Sequence, residues 1–155
     1  MTPLIRAFTA ADAAACGAIV EATPLWQRYG LSGTALAEQL PTAPGKGDRV
    51  LIIETAGAVS GFAWIMPRGA FGRSAYLRLI AVAPDQRGQQ LGAHLLRAVE
   101  AEAATISPDL FLFVTDFNVG AQRFYLREGF EEVGRVPDFV LPGVTELLYL
   151  KRLRA

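Results

Sequence analysis

Residues 3–8 alternate between apolar and polar positions and end on polar Thr9, which predicts a first strand. Thr9 or Asp12 is placed to cap the Ala-rich helix that follows, to about residue 22. Pro24, Gly30 and Gly33 mark residues 23–33 (TPLWQRYGLSG) as irregular. Ser32 then caps a short helix to about residue 40. Residues 41–48 form a loop with two prolines and two glycines. The apolar, β-branched runs 49–55 and 59–66, separated by Ala-Gly-Ala, predict a hairpin, with Glu54 near its turn in solvent. A second loop spans 67–74, followed by a strand over 75–82. Leu91, Leu95 and Leu96 recur at helical spacing, so a helix is predicted over 90–104. The continuous apolar run 109–115 (DLFLFVT) is a buried strand. A helix then starts at Asn118 and stops at Gly129. The last elements are strands over 130–136 and 144–150, joined by a loop carrying Phe139. The order β-α-α-β-β-β-α-β-α-β-β predicts one mixed α/β domain over residues 1–155, with no repeat or linker.

Composition narrows the function classes. The chain has 155 residues, 52% of them apolar, enough for a core. Fifteen Lys and Arg balance fifteen Asp and Glu, so the net charge is zero. That argues against nucleic acid or an anionic membrane surface as partner. No stretch approaches the roughly 18 apolar residues of a membrane span. Arg6 is the only early cation and Asp12 interrupts the Ala-rich run, so the N-terminus does not read as a signal peptide. A single cysteine, Cys16, suits a reducing cytoplasm, where the protein is expected; it reads as a small buried helix residue. One histidine, His94, and no Cys/His cluster predict no metal site.

The stretch 79–96, LIAVAPDQRGQQLGAHLL, carries the clearest chemistry. An apolar strand end leads through Pro84 and Gly88 into a helix start. The first N–H groups of a helix lack intrahelical partners and favour negative charge. Arg87 adds a cation there, and Gly92 allows close approach to the backbone. This is a phosphate site by physical chemistry alone.

The run Arg87-Gly88-Gln89-Gln90-Leu91-Gly92-Ala93 resembles the acyl-CoA pyrophosphate loop of the GCN5-related N-acetyltransferases, Arg/Gln-x-x-Gly-x-Gly/Ala. Gln90 stands where the first glycine usually does. A later run is similar to a second motif of that family: Asn118, Ala121, Tyr125, Gly129 and Phe130 match Asn-x-x-Ala-x-x-(apolar)-Tyr-x-x-x-Gly-Phe. Together the two cover roughly residues 76–136. The resemblance implies a mostly antiparallel central sheet, splayed to admit a cofactor and flanked by helices. It implies acetyl-CoA as co-substrate, with no metal. By the same resemblance, Arg87, Gly88, Gln90, Gly92 and Ala93 hold pyrophosphate, and the backbones of Ile80 and Val82 pair with the pantetheine arm. Asn118 contacts the cofactor, and Tyr125 protonates the leaving thiolate. Gln90 in place of glycine is expected to keep ordinary helical dihedrals.

The implied activity is transfer of an acetyl group to a primary amine of a small molecule or peptide; the alternative is a non-catalytic acyl-CoA-binding module. Neither Gly-x-Gly-x-x-Gly nor Gly-x-x-x-x-Gly-Lys-Ser/Thr is present, which sets aside dinucleotide and P-loop folds. The acceptor walls are expected from Trp26, Arg28 and Tyr29, from Tyr76 and Arg78, and from the loop with Phe139. Arg28 and Arg78 would suit a carboxylate or phosphate on the acceptor. No general base is assigned: Phe113 occupies the position of the glutamate in the ribosomal-protein branch, and nothing places Asp116 or Glu54 beside an amine. A homodimer is the common default for oligomeric state.

Overall fold

Alternation along the strands decides which residues each sheet face buries. In the computed structural model, which describes residues 2–154, seven strands form one sheet. They are β1 (Leu4–Ala7), β2 (Arg49–Thr55), β3 (Ala58–Ala70), β4 (Ser74–Val82), β5 (Asp109–Thr115), β6 (Glu131–Pro137) and β7 (Thr145–Arg152). Their order is β1-β2-β3-β4-β5-β7-β6, and every neighbouring pair is antiparallel except β4 and β5. The helices are α1 (Ala13–Glu21), α2 (Pro24–Arg28), α3 (Gly33–Gln39), α4 (Leu91–Ala104) and α5 (Val119–Arg127).

Two apolar clusters sandwich the sheet. On one face Leu91, Leu95, Leu96 and Val99 of α4 pack on Leu77, Leu112 and Leu147. On the other, Cys16 and Val20 of α1 and Leu36 of α3 pack on Ile52, Phe62 and Trp64. Strand β4 contributes to both faces. Ala75 and Leu77 belong to the first cluster, Leu79 and Ala81 to the second. Residues two apart along a regular strand share a face, so this switch requires a break in the pleat. Pairing with β3 jumps from Leu77–Ile65 to Leu79–Trp64, leaving Arg78 as the extra, bulged residue.

The elements differ from the sequence expectation at three places. Residues 24–28 are a short helix, with Pro24 at its first turn. Strand β3 runs on to Ala70 despite Pro67 and Gly69, because the ladder is irregular between Met66 and Ala70. Glu54 is not free in solvent: it pairs with Arg6.

Helices α1 and α3 touch through backbone. A Cβ on Gly17 would lie 2.5 Å from the Gly33 carbonyl oxygen, and one on Gly33 would lie 2.2 Å from that of Gly17. The Gly33 N–H also donates to Glu21 Oε1 at 2.8 Å. This contact joins the two ends of the segment carrying α2. Ser32 caps α3 by accepting from the Ala35 N–H at 3.2 Å.

Arg6 ties β1 to both β2 and α1. It donates to Glu54 and, with two nitrogens at 2.8 Å, to both Asp12 oxygens. Asp12 also accepts from the Thr9 N–H at 2.8 Å and is buried. The Arg6 guanidinium, helped by Thr9, holds the Asp12 carboxyl down at about 2, from 3.8. A carboxyl depressed in the fold stabilises it above the unfolded pKa and loses that contribution as pH falls through the folded one. The shift corresponds to about 2 kcal/mol. Asp12→Asn is therefore expected to cost about 2 kcal/mol in denaturant unfolding at neutral pH. The difference from the parent should hold above about pH 5 and close as the pH approaches about 2. A pH-independent difference would show that the carboxylate charge is not what stabilises.

Candidate active site

Strands β4 and β5 are paired only at Ala75–Leu110, Tyr76–Phe111 and Leu77–Leu112. Beyond the Arg78 bulge they part, and β4 continues to Val82 bonded on its β3 side alone. The opening between them is the centre of a cavity of about 1060 Å³. Its lining includes Leu91 and Tyr125 from one face of the sheet and Trp26 and Leu36 from the other. The cavity thus passes through the sheet where the ladder is missing.

At one end lies the turn from β4 into α4. The chain takes left-handed dihedrals at Gly88 (φ 84°) and again at Gln90 (φ 60°, ψ 21°). The first backbone bond into α4 runs from the His94 N–H to the Gln90 carbonyl, 3.1 Å. Among the described residues, none of the N–H groups of residues 88–93 donates to another protein group. Arg87 lines the same end, with Arg97 of α4 and Arg127 of α5. Unused donors, a helix N-terminus and three arginines, one of them 3.8 Å from Glu128, form a pocket for an anion although the whole chain is neutral.

At the middle, Asn118 caps α5 by accepting from the Ala121 N–H at 3.1 Å. Two turns on, Tyr125 is only 7% exposed, with Phe124, Phe130 and Tyr149 packed edge-on at 5.2, 5.5 and 6.3 Å. Burial pushes its hydroxyl pKa up, so it stays protonated at neutral pH.

The far end is aromatic. Tyr29, Tyr76, Phe113 and Phe117 line it, Trp26 stands at its wall and Tyr76 meets Phe113 edge-on at 6.2 Å. Arg78 also lines it, but its guanidinium lies 4.1 Å over the Trp64 ring and donates to Gln39. Glu146 of β7 faces this end, 2% exposed, with Oε2 buried and without a hydrogen-bond partner. Burial raises its pKa, and the Tyr29 hydroxyl draws it partly back.

The cavity therefore gathers Ile80, Val82, Arg87, Gly88, Gln90, Gly92, Ala93, Asn118, Tyr125, Trp26, Tyr29, Tyr76 and Arg78. Arg28 is not in its wall; its guanidinium lies 4.0 Å over the ring of Phe117, which is. Phe139 stands outside, 5.5 Å from the Phe113 ring, while its neighbour Val140 lines the cavity. Sequence reasoning missed Glu146, Phe117, Arg97 and Arg127. The one trace of Glu146 was an acid inside the apolar run VTELLYL, which reads equally as a solvated strand end. Among the described residues no group of His, Cys, Asp and Glu could hold a metal ion, and no helix is long and apolar enough to cross a membrane.

A model of the acetyltransferase (GNAT) domain family matches residues 46–132. No curated protein matches the chain by sequence. Among solved structures, a candidate acetyltransferase of the GNAT family from Desulfovibrio desulfuricans is similar over 98% of this chain and 99% of its own. Its identity is 22% and its TM-score 0.83. The ribosomal-protein-alanine N-acetyltransferase of Brucella melitensis is 28% identical over 96% of this chain and 99% of its own, with a TM-score of 0.79. YncA, a candidate acetyltransferase from Salmonella typhimurium solved with its cofactor acetyl-CoA, is 21% identical over 100% and 96%, with a TM-score of 0.79.

Gln90 departs from the expectation of helical dihedrals. The loop keeps a left-handed residue at this position, so α4 begins at Leu91. A left-handed non-glycine residue costs about 1–2 kcal/mol. The Gln90 side chain is exposed and makes no hydrogen bond among the described residues that would offset it. Gln90→Gly is expected to relieve part of this strain and raise the melting temperature by about 2–4 °C, the shift for roughly 1 kcal/mol in a domain of this size. Gln90→Val should lower it. A melting temperature lowered by glycine would show that the side chain supports the loop.

Proposed function

The chain belongs to the acetyltransferase (GNAT) domain family, and from that premise we propose that it transfers an acetyl group from acetyl-CoA to a primary amine of a small molecule or peptide. The observation that carries the reading is the half-paired strand β4, opening beside the unused donors of residues 88–93. Pantetheine is an extended chain with two amide groups, and it can bond to the free side of Ile80 and Val82 as an added strand would. Its pyrophosphate suits the turn formed by Arg87, Gly88, Gln90, Gly92 and Ala93, where backbone N–H groups and the helix dipole meet. The residues present thus fit the group. When bound, acetyl-CoA supplies an activated acyl carbon and a thiolate leaving group.

The chain's own residues do the rest. The splayed strands fix the orientation of the cofactor, which converts an encounter in solution into a positioned reaction. The apolar surround of Tyr125 excludes water and keeps its hydroxyl protonated, so Tyr125 is the acid for the departing sulfur. Asn118 sets the start of α5 and, through it, the placement of Tyr125 two turns on. Trp26, Tyr29, Tyr76 and Arg78 form the acceptor side; Arg28 acts there only by backing Phe117. Residues 1–155 are proposed to form one catalytic domain.

Tyr125→Phe is expected to lower kcat roughly 10–100-fold, at the low end of what a positioned acid contributes, while acetyl-CoA affinity changes little. Steady-state kinetics and calorimetry check the two halves separately. Unchanged turnover would remove Tyr125 from the role of acid.

A further inference from the structure

Residues that line the far end of the cavity have charges that constrain the acceptor. Among the described residues, the carboxylates in the cavity wall are Glu128 and Glu146. Glu128 lies at the anion end, 3.8 Å from Arg97. That leaves Glu146 as the single carboxylate in the wall of the acceptor end, surrounded by rings and accompanied by Arg78, with Asp116 near enough to act on its charge. The fold satisfies its charge only in part, through the Tyr29 hydroxyl. One oxygen is buried with no partner, although removing a carboxylate from water is costly unless something replaces the water.

The position of Glu146 follows from the pleat. Leu147 and Tyr149 belong to the α4 cluster, so Glu146 projects from the other face of β7. There it pairs in register with Thr115 of β5 and Val136 of β6. Tyr29 faces it from the end of α2, Tyr76 from β4, and Asp116 lies beyond the end of β5. No lysine or arginine donates to it among the described residues.

We propose that Glu146 receives the ammonium group of the acceptor and takes its proton, and that the acceptor is a singly charged amine with an apolar or aromatic body. This rests on the acetyl-transfer reading above. The buried oxygen lacks a donor, and an alkylammonium supplies one together with the opposite charge. The body then rests among Trp26, Tyr76 and Phe113 and extends outward along Phe139. A second ammonium would find no second carboxylate in the wall and would be repelled by Arg78, so a singly charged amine is preferred over diamines and longer polyamines.

The protons and electrons balance. Glu146 takes one proton from R–NH₃⁺ and returns it to solvent. The freed nitrogen lone pair forms the C–N bond to the acyl carbon while the C–S bond breaks, its electron pair leaving on sulfur. Tyr125 gives its proton to that sulfur. The second proton shed by the nitrogen restores Tyr125.

Burial raises the Glu146 carboxyl, which makes it a stronger base, with Asp116 pushing the same way and the Tyr29 hydroxyl opposing. The acid limb of kcat/KM therefore reports Glu146. Removing the opposing hydroxyl in Tyr29→Phe moves that limb to higher pH.

The test uses 2-phenylethylamine and 1,4-diaminobutane as probe acceptors, with acetyl-CoA affinity measured in parallel by calorimetry. The parent is expected to acetylate 2-phenylethylamine with a kcat/KM at least about 100-fold above that for the diamine, given the cost of an unpaired buried charge. Glu146→Gln should lose about 100-fold or more at neutral pH, bind acetyl-CoA as the parent does, and recover as the pH rises toward the pKa of the amine itself. Intact acetyl-CoA binding with Glu146→Gln within about threefold of the parent would overturn the proposal. So would a preference for the diamine, no acetylation of 2-phenylethylamine, or an acid limb unmoved in Tyr29→Phe. Failure of the parent to bind acetyl-CoA would instead overturn the acetyl-transfer reading and this inference with it.

Discussion

Everything at the candidate site depends on a ladder that stops early. Parallel strands β4 and β5 share three register pairs and then separate, while each remains held on its outer side, β4 by β3 and β5 by β7. A buried strand edge with free N–H and carbonyl groups is costly unless a partner completes it. The sheet is stable because both outer ladders are long and two apolar clusters cover its faces. The Arg78 bulge is the local device: one added residue turns the end of β4 toward the α1–α3 cluster, away from β5. The opening is therefore built into the backbone, and side chains only furnish it.

The two ends of the cavity use different physics. At the α4 end, the proposed binding would use backbone donors and a dipole, whose geometry is kept with glutamine at position 90 because Gln90 is itself left-handed. The opposite end is built from side chains brought from α2, β4, β5 and β7, which in the proposed reading would set specificity, with a carboxylate whose burial the fold compensates only in part. Tyr125 stands between them, and its ring packing is what keeps its proton in place. The Gly17–Gly33 contact matters to this end too, because it fixes the segment that presents Trp26 and Tyr29.

Local chemistry was legible in the sequence, and long-range juxtaposition was not. The run DLFLFVT predicted β5 with its observed limits, Asp109–Thr115, and Asn118 and Ser32 cap the helices they were expected to cap. The loop at residues 87–93 was readable because strand, turn glycine and helix start are contiguous. Glu146 was not, because its meaning comes from Tyr29 and Tyr76, which only the folded sheet brings near. Helix α2 was hidden because Pro24, read with Gly30 and Gly33 as a break, in fact occupies the first turn of the helix. The conformation of Gln90 was unreadable for a different reason: glutamine rarely takes left-handed dihedrals, and here the loop imposes them.

The central claim is that an acyl-CoA completes the open edge of β4 and lies on the donors before α4. Amide hydrogen exchange, followed with and without saturating acetyl-CoA, tests it most directly. Slowed exchange at residues 79–82 and 88–93 is the predicted result. Exchange unchanged there, or slowed only elsewhere in the chain, would contradict the account.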